Sequence, residues 1–531
     1  MNNKINGLKL SLESNFNFLN EAERLLTKYC KNDSSYDKSF FTCFKGFIDN
    51  SRNYIYSVYE DICISSNAVP VYAKSNANRA LIRNCLEATI ILYIFSQHPE
   101  YCEKYFETYE SDLKRINNLY QNINSEEKYL KRFAWLPRVK GKRINNLNDL
   151  LSYIDFEDEN QKLFYQILIR NFDTFIHPSF NFSLSIENKN ILDDRLIFSL
   201  YAKDGIMYQL HECFLSSFLD YFEDLLSIEE VEGLKQHITT LPKTNNLEVN
   251  FFKMLKQYPN EIHSLSYVIA LLPNYILPYQ DYIWTRKNIS YLLQDMCTHY
   301  DDLLKSFFNE NQTMFYMEAR HIFESLSALN ILLQENELRN YIFHIHQDIK
   351  GFESKTTTYT MLGSQEFLDK KEELEQKYEV YIKEIEKYYL EHFNQEVERN
   401  KILRLNGWSL FLDKQNNDYI PNAPDFIRFL IKDHYNNPEV ENFVLGLFEE
   451  SNAFLHITPY AIFTPTKDRV PNTIKIINSI LSTLIFGIIK IFNLENILDS
   501  KAKEVIAKGF FVSASKLNNY IDNVYKGKLS K

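Results

Sequence analysis

The stretch 164-FYQILIRNFDTFIHPSF-180 decides how this chain is read. Its apolar residues Phe164, Ile167, Leu168, Phe172, Phe175 and Ile176 recur at the spacing of one helical face. Arg170 and His177 stand two helical turns apart, so both fall on one side, with Asn171 directly after the arginine. Pro178 disfavours helical geometry for the residue before it, which puts the imidazole of His177 at a helix end. A second stretch, 449-EESNAFLHITPY-460, has the same outline, with His456 after an apolar pair and Pro459 close behind. This recurrence predicts a duplicated helical protein.

Composition agrees with that reading. Of the 531 residues 45% are hydrophobic and 15% aromatic, enough for a sizeable core and too much for a disordered chain. Only 12 glycines, and 14 prolines clustered at breaks, leave long uninterrupted runs that favour an all-α protein. The net charge of −11 argues against a chain that coats nucleic acid non-specifically, while leaving room for a local basic site. The seven cysteines form no C-x-x-C pair and read as reduced, buried thiols. No signal-peptide pattern opens the chain. The apolar run 476-IINSILSTLIFGII-489 is bounded by Lys475 and Lys490, and is expected to be too short to span a bilayer. A buried core helix, no membrane partner and a cytoplasmic protein are the expectations.

Helices are expected over 38–64, 76–96, 100–122, 148–153, 161–177 and 195–226 in the first half. In the second they are expected over 249–272, 283–309, 314–333, 365–400, 425–434 and 473–493, besides the one ending near His456. Motifs fall in the same order in both halves: Arg83-x3-Glu87 answers Arg320-x3-Glu324, and Trp135 answers Trp408. His177-Pro178-Ser179 answers His456-Ile457-Thr458-Pro459. The expected division is an N-terminal helical extension over 1–34, a first domain over 35–227, a polar linker over 228–249 and a divergent second domain over 250–531.

The Arg170–Asn171…His177 spacing resembles the Arg-x4–6-His motif of the HEPN superfamily. The Arg-x3-Glu helix upstream and the distal helix ending in His-Pro are similar to one branch of bacterial HEPN-like proteins. The resemblance covers most of 38–226 and, more loosely, 250–495. It implies two tandem HEPN-like helical bundles arranged as an intramolecular pseudo-dimer. It also implies a metal-independent endoribonuclease, or a toxin-like effector of a bacterial antiviral defence system. In that chemistry a ribose 2′-hydroxyl attacks the adjacent phosphate, His177 serves as acid/base, Arg170 clamps the phosphate and Asn171 supports them. RNA is then the expected partner, beside a protein of a defence or toxin–antitoxin system, and the family's pairing admits a homodimer.

The second half departs from the motif. Glu449, not arginine, stands seven residues before His456, so its phosphate clamp is missing there. Arg339…His344 and Arg428…His434 also match the motif spacing, in places the repeat does not favour. The i,i+4 pairs Arg83/Glu87 and Arg320/Glu324 have apolar neighbours and are expected to be partly buried, orienting the imidazole and raising its pKa. Between them the basic loop supplies Lys131, Arg132, Arg138, Lys140, Lys142 and Arg143 with Trp135, a candidate RNA contact with an aromatic stacking platform. No P-loop, Gly-rich dinucleotide turn, HExxH or metal-spaced cluster is recognised, so neither cofactor nor metal is expected. The competing expectation is a catalytically inactive scaffold or sensor, holding a protein or small ligand in the cleft between repeats.

Overall fold

A computed structural model of the chain describes residues 2–31, 33–63, 71–123, 130, 132–138, 144, 146–156, 158–173, 194–242, 263–308, 311–362, 365–394, 396, 423–464, 467–496, 498, 500 and 503. Among them every regular element is a helix, as composition predicts. The first half carries α1 (Asn2–Tyr29), α2 (Ser35–Cys63), α3 (Val71–Gln97), α4 (Tyr101–Tyr120), α5 (Leu147–Leu150), α6 (Glu159–Asp173), α7 (Asp194–Phe222) and α8 (Ile228–Thr239). The second carries α9 (His263–Ile276), α10 (Ile283–Phe308), α11 (Gln312–Gln334), α12 (Glu337–Leu362) and α13 (Gln365–Phe393). It continues with α14 (Ala423–His434), α15 (Pro438–Leu455), α16 (Pro459–Phe463) and α17 (Val470–Ile491).

Two apolar cores form. One draws on α1 to α8, from Leu8 to Ile238, and the other on α9 to α17, from Val268 to Leu498. Each borrows residues across the middle: Ile116 joins the second core, while Met317, Leu455 and Ile457 join the first. The long hairpins α2–α3 and α10–α11 are the most intimate helix pairs of their halves. Beyond them, α15 packs on α11 of its own half and on α4 of the other, and α6 packs on α3 and on α12.

The expected elements need adjustment in several places. Helix α1 is a wall of the first core rather than an extension: Leu12, Phe18, Leu19, Leu25 and Leu26 are buried, against α2, α7 and α8. The linker expectation also fails at its start. Ser227 and Glu230 form a reciprocal capping box, and Leu234 and Ile238 bury one face of α8 on α1. The polarity of 228–239 belongs to a solvated helix face, which sequence alone reads as linker. Helix α12 was not expected, because Gly351 and the threonines 356–358 have weak intrinsic helix preference. Packing on α10 and α13 supplies what propensity lacks.

Helix α17 is also longer than its apolar run suggested, and by length and composition it could cross a membrane. About half of that stretch is buried. Ile474, Ile477, Leu481, Ile485 and Ile488 face the second core, and buried Asn478 accepts a hydrogen bond from Tyr300 at 2.6 Å.

Candidate functional site at the junction of the two halves

Helix α15 starts with Pro438 in its first turn and Asn437 accepting from the Glu439 amide at 2.9 Å, and it ends at His456. The chain then turns through Ile457 at φ 48°, where glycine is the ordinary residue. The amide of Thr458 closes the turn on the Ala453 carbonyl at 3.1 Å, and Pro459 opens α16. A β-branched residue in the left-handed region is strained and needs support from its surroundings. That support comes from the first half. The Tyr105 hydroxyl donates to the Ile457 carbonyl, and the Ile457 side chain lies directly against Gly46, where a Cβ would collide with it.

This turn delivers His456 to Glu87 on α3. Glu87 is 1% exposed, and its carboxylate gathers three basic side chains. Arg83 donates to Oε2 from one turn earlier, Arg132 donates to Oε1 at 2.5 Å, and His456 Nδ1 stands 3.4 Å from Oε2. Burial alone would favour the protonated acid. Arg132, then Arg83 and His456, outweigh it and hold the carboxyl well below the usual range. Burial and then Arg132 push His456 the other way from the expectation, well below the ordinary histidine pKa, against the pull of Glu87. A neutral ring beside a carboxylate donates from Nδ1, which leaves the Nε2 lone pair as the base. The His456 side chain is 15% exposed and that of Arg132 is 27% exposed, so the centre reaches the surface through these two residues.

The matching pair in the second half is built differently. Arg320 meets Glu324 at 3.1 Å and lies over the Phe448 ring at 5.3 Å, while its Nε and Nη1 are buried without a hydrogen-bond partner. Burial lowers its pKa, and Glu324 only partly restores it, with Arg83 close enough to add repulsion. Glu449, which replaces the motif arginine, finds one from the other half: Arg115 of α4 binds it together with Asp112 at 2.9 Å. Next to it, buried Glu450 receives the hydroxyls of Tyr120 and Tyr460, each at 2.7 Å, and Arg469 at 2.6 Å.

The other sequence-predicted residues divide clearly. Arg170 and Asn171 have their backbone in α6, but their side chains lie outside the described residues, as do His177, Lys131, Lys140, Lys142, Arg143 and Trp408. Trp135 corrects the stacking expectation. It is 3% exposed and packs edge-on to Tyr105 and Tyr101 and tilted against Phe95, so it offers no face to a base. Arg132 belongs to Glu87 rather than to a free basic patch, whereas Arg138 is exposed. The alternative motif matches have local roles. Arg339 pairs with Glu335 at 3.0 Å, His344 meets Asn288 at 2.8 Å, and Arg428 faces Asp425 and Glu441. Gly46, Tyr105 and Ile457 were not anticipated. A glycine inside a helix, costing about 0.5–1 kcal/mol against alanine, was the available signal of close approach at Gly46.

No family model, curated protein or solved structure matches the chain.

Proposed function

We propose that the chain is a pair of tandem HEPN-like bundles closed on each other as a pseudo-dimer. It acts as a metal-independent endoribonuclease, or a toxin-like defence effector, in the cytoplasm. The matched packing supports the duplication: each Arg-x3-Glu helix lies on the motif helix of its own half, and each motif helix reaches a helix of the other. The observation that carries the chemistry is a neutral, partly exposed His456 set on the charged Glu87 beside Arg132.

In this reading His456 Nε2 takes the proton of a ribose 2′-hydroxyl as that oxygen attacks the adjacent phosphorus. The bond from phosphorus to the 5′-oxygen breaks, and the imidazolium returns its proton to the departing oxygen. Glu87 holds the ring in the required tautomer, and Arg132, held on Glu87, brings its positive charge to the phosphate. His177, Arg170 and Asn171 are assigned the same tasks in the companion half-site on motif spacing alone.

The test is cleavage of total RNA by purified protein in the presence of EDTA. Loss of activity by 100-fold or more is expected in His456→Ala and in Arg132→Ala, within the usual range for a general acid/base or an anion clamp. Full activity in His456→Ala with loss in His177→Ala would move the chemistry to the companion site.

A specific observation favours a second reading. Both oxygens of Glu87 are engaged by arginines of its own half, and His456 of the other half rests on the same carboxylate, as in a brace that fixes one half on the other without turning over substrate. An inactive scaffold that binds a protein or small ligand predicts no cleavage by the wild type, and loss of partner capture in Arg132→Ala.

A further inference from the structure

We propose that Asp295, His299 and His321 form a structural site for one divalent transition metal ion, zinc by ligand type, bolting α10 to α11. The proposal does not rest on the ribonuclease reading. Asp295 and His299 are four residues apart on α10, and Glu318 and His321 three apart on α11, so each pair shares one face of its helix. The two faces meet. All four side chains are buried, and the ligand atoms of Asp295, His299 and His321 lie within 4.8 Å of one another.

Hydrogen bonding sorts the two nitrogens of His299 as a metal site requires. His299 Nδ1 meets Glu318 Oε2 at 2.5 Å, the carboxylate–imidazole contact that orients a ligating ring. Its other nitrogen, Nε2, is fully buried and makes no hydrogen bond, although Asp295 Oδ1 stands 3.5 Å away. That spacing suits two ligands of one tetrahedral ion at about 2.0–2.1 Å from each. His321 Nε2 stands 2.7 Å from the second Asp295 oxygen.

Charge makes the same demand. Two buried carboxylates that stay ionised need two positive charges nearby. Supplying them as protons would make both rings cationic, and the rings are stacked with centroids 3.5 Å apart at 24°. One divalent ion supplies the same charge with both imidazoles neutral. Imidazole is a borderline ligand and carboxylate a hard one, and zinc takes both together. The four residues come as two short spacings on separate helices, outside any recognised motif, which is why the sequence alone points to no metal.

Because the site is buried, the experiment is refolding. The full chain is unfolded in guanidinium with EDTA, desalted, and refolded with and without zinc, and bound metal is counted by mass spectrometry. One equivalent per chain is expected, with a raised melting temperature. Retention should be lost in Asp295→Asn and His299→Ala, but kept in His211→Ala, which alters a buried histidine of the other half. Wild-type protein that retains no zinc after refolding would overturn the proposal, and so would equal retention in Asp295→Asn. The wild-type count decides the matter even where a variant fails to fold.

Discussion

Glu87 and His456, separated by 369 positions in the chain, stand 3.4 Å apart where α3 meets the end of α15. One brings a buried charge and the other a ring kept neutral, and neither half of the chain holds this arrangement alone. The contact depends on Arg83 and Arg132 to keep the carboxylate charged, and on Gly46 and Tyr105 to hold the turn that presents the ring.

Glu87→Gln removes the charge and leaves Arg83 and Arg132 facing an amide. Breaking a buried ion pair by removing one partner costs about 3–5 kcal/mol. Urea unfolding should show a loss of that order. Glu324→Gln should cost less, because Arg320 already has buried nitrogens without partners. An equal loss in the two variants would mean that Glu87 is no more a hub than Glu324.

Gly46→Ala places a methyl group against the side chain of Ile457, and Gly446→Ala places one 2.8 Å from the Tyr120 ring. Each contact lies between the halves. Overpacking of this kind costs about 1–3 kcal/mol. Gly46→Ala should in addition displace His456, so RNA cleavage should fall further than in Gly446→Ala at matched stability. Gly205→Ala, with open space around the added methyl inside α7, should stabilise by about 0.5–1 kcal/mol and serves as the clash-free control.

Stability should decline as the solution is acidified below about pH 6.5. Burial lowers His211 to about 3, lowers His344 to about 4 and holds His456 well below its ordinary value. Each binds a proton when unfolded but not when folded, so its contribution is complete above the unfolded pKa and is lost as pH falls below it. The slope is about 1.4 kcal/mol per pH unit for each such group. His344 stops contributing to that slope near pH 4. Asp204, raised to about 6 by burial, works in the opposite direction as pH falls from about 6 toward the ordinary carboxylate value, and offsets roughly one histidine there. Urea midpoints at pH 7 and pH 5 should therefore differ, and His211→Gln should flatten the difference. An unchanged slope in that variant would exclude His211 as a source.

Trp135 should matter for stability and not for RNA. Trp135→Ala should cost about 3–5 kcal/mol, the usual loss for emptying a buried tryptophan site. Trp135→Phe should leave RNA affinity intact, whereas exposed Arg138→Ala should weaken binding and reduce its salt dependence. Loss of affinity in Trp135→Phe without loss of stability would restore the stacking role.

By itself the sequence determined that this protein is helical and where most helices lie. Apolar residues at helical spacing and the scarcity of glycine act locally, and they are read without knowing what packs on what. It also showed Arg83/Glu87 and Arg320/Glu324 as helix-borne pairs, and His456 as a helix-end residue, because caps and prolines are local signals. Tertiary structure alone decided which pair meets which histidine. The i,i+4 rule fixes Arg83 on Glu87, but Arg132 and His456 arrive from a loop and from the other half, and no periodicity encodes that meeting. The same holds for the buried ring of Trp135, which looks like a binding residue in a basic loop until Phe95, Tyr101 and Tyr105 close around it. It holds again for Asp295, His299, Glu318 and His321, two ordinary helical spacings that form one cluster only because α10 and α11 pack with those faces together. Local patterns fix elements, because their energies are local. Sites made by side chains hundreds of residues apart are fixed by burial and charge pairing, and those exist only once the helices have packed.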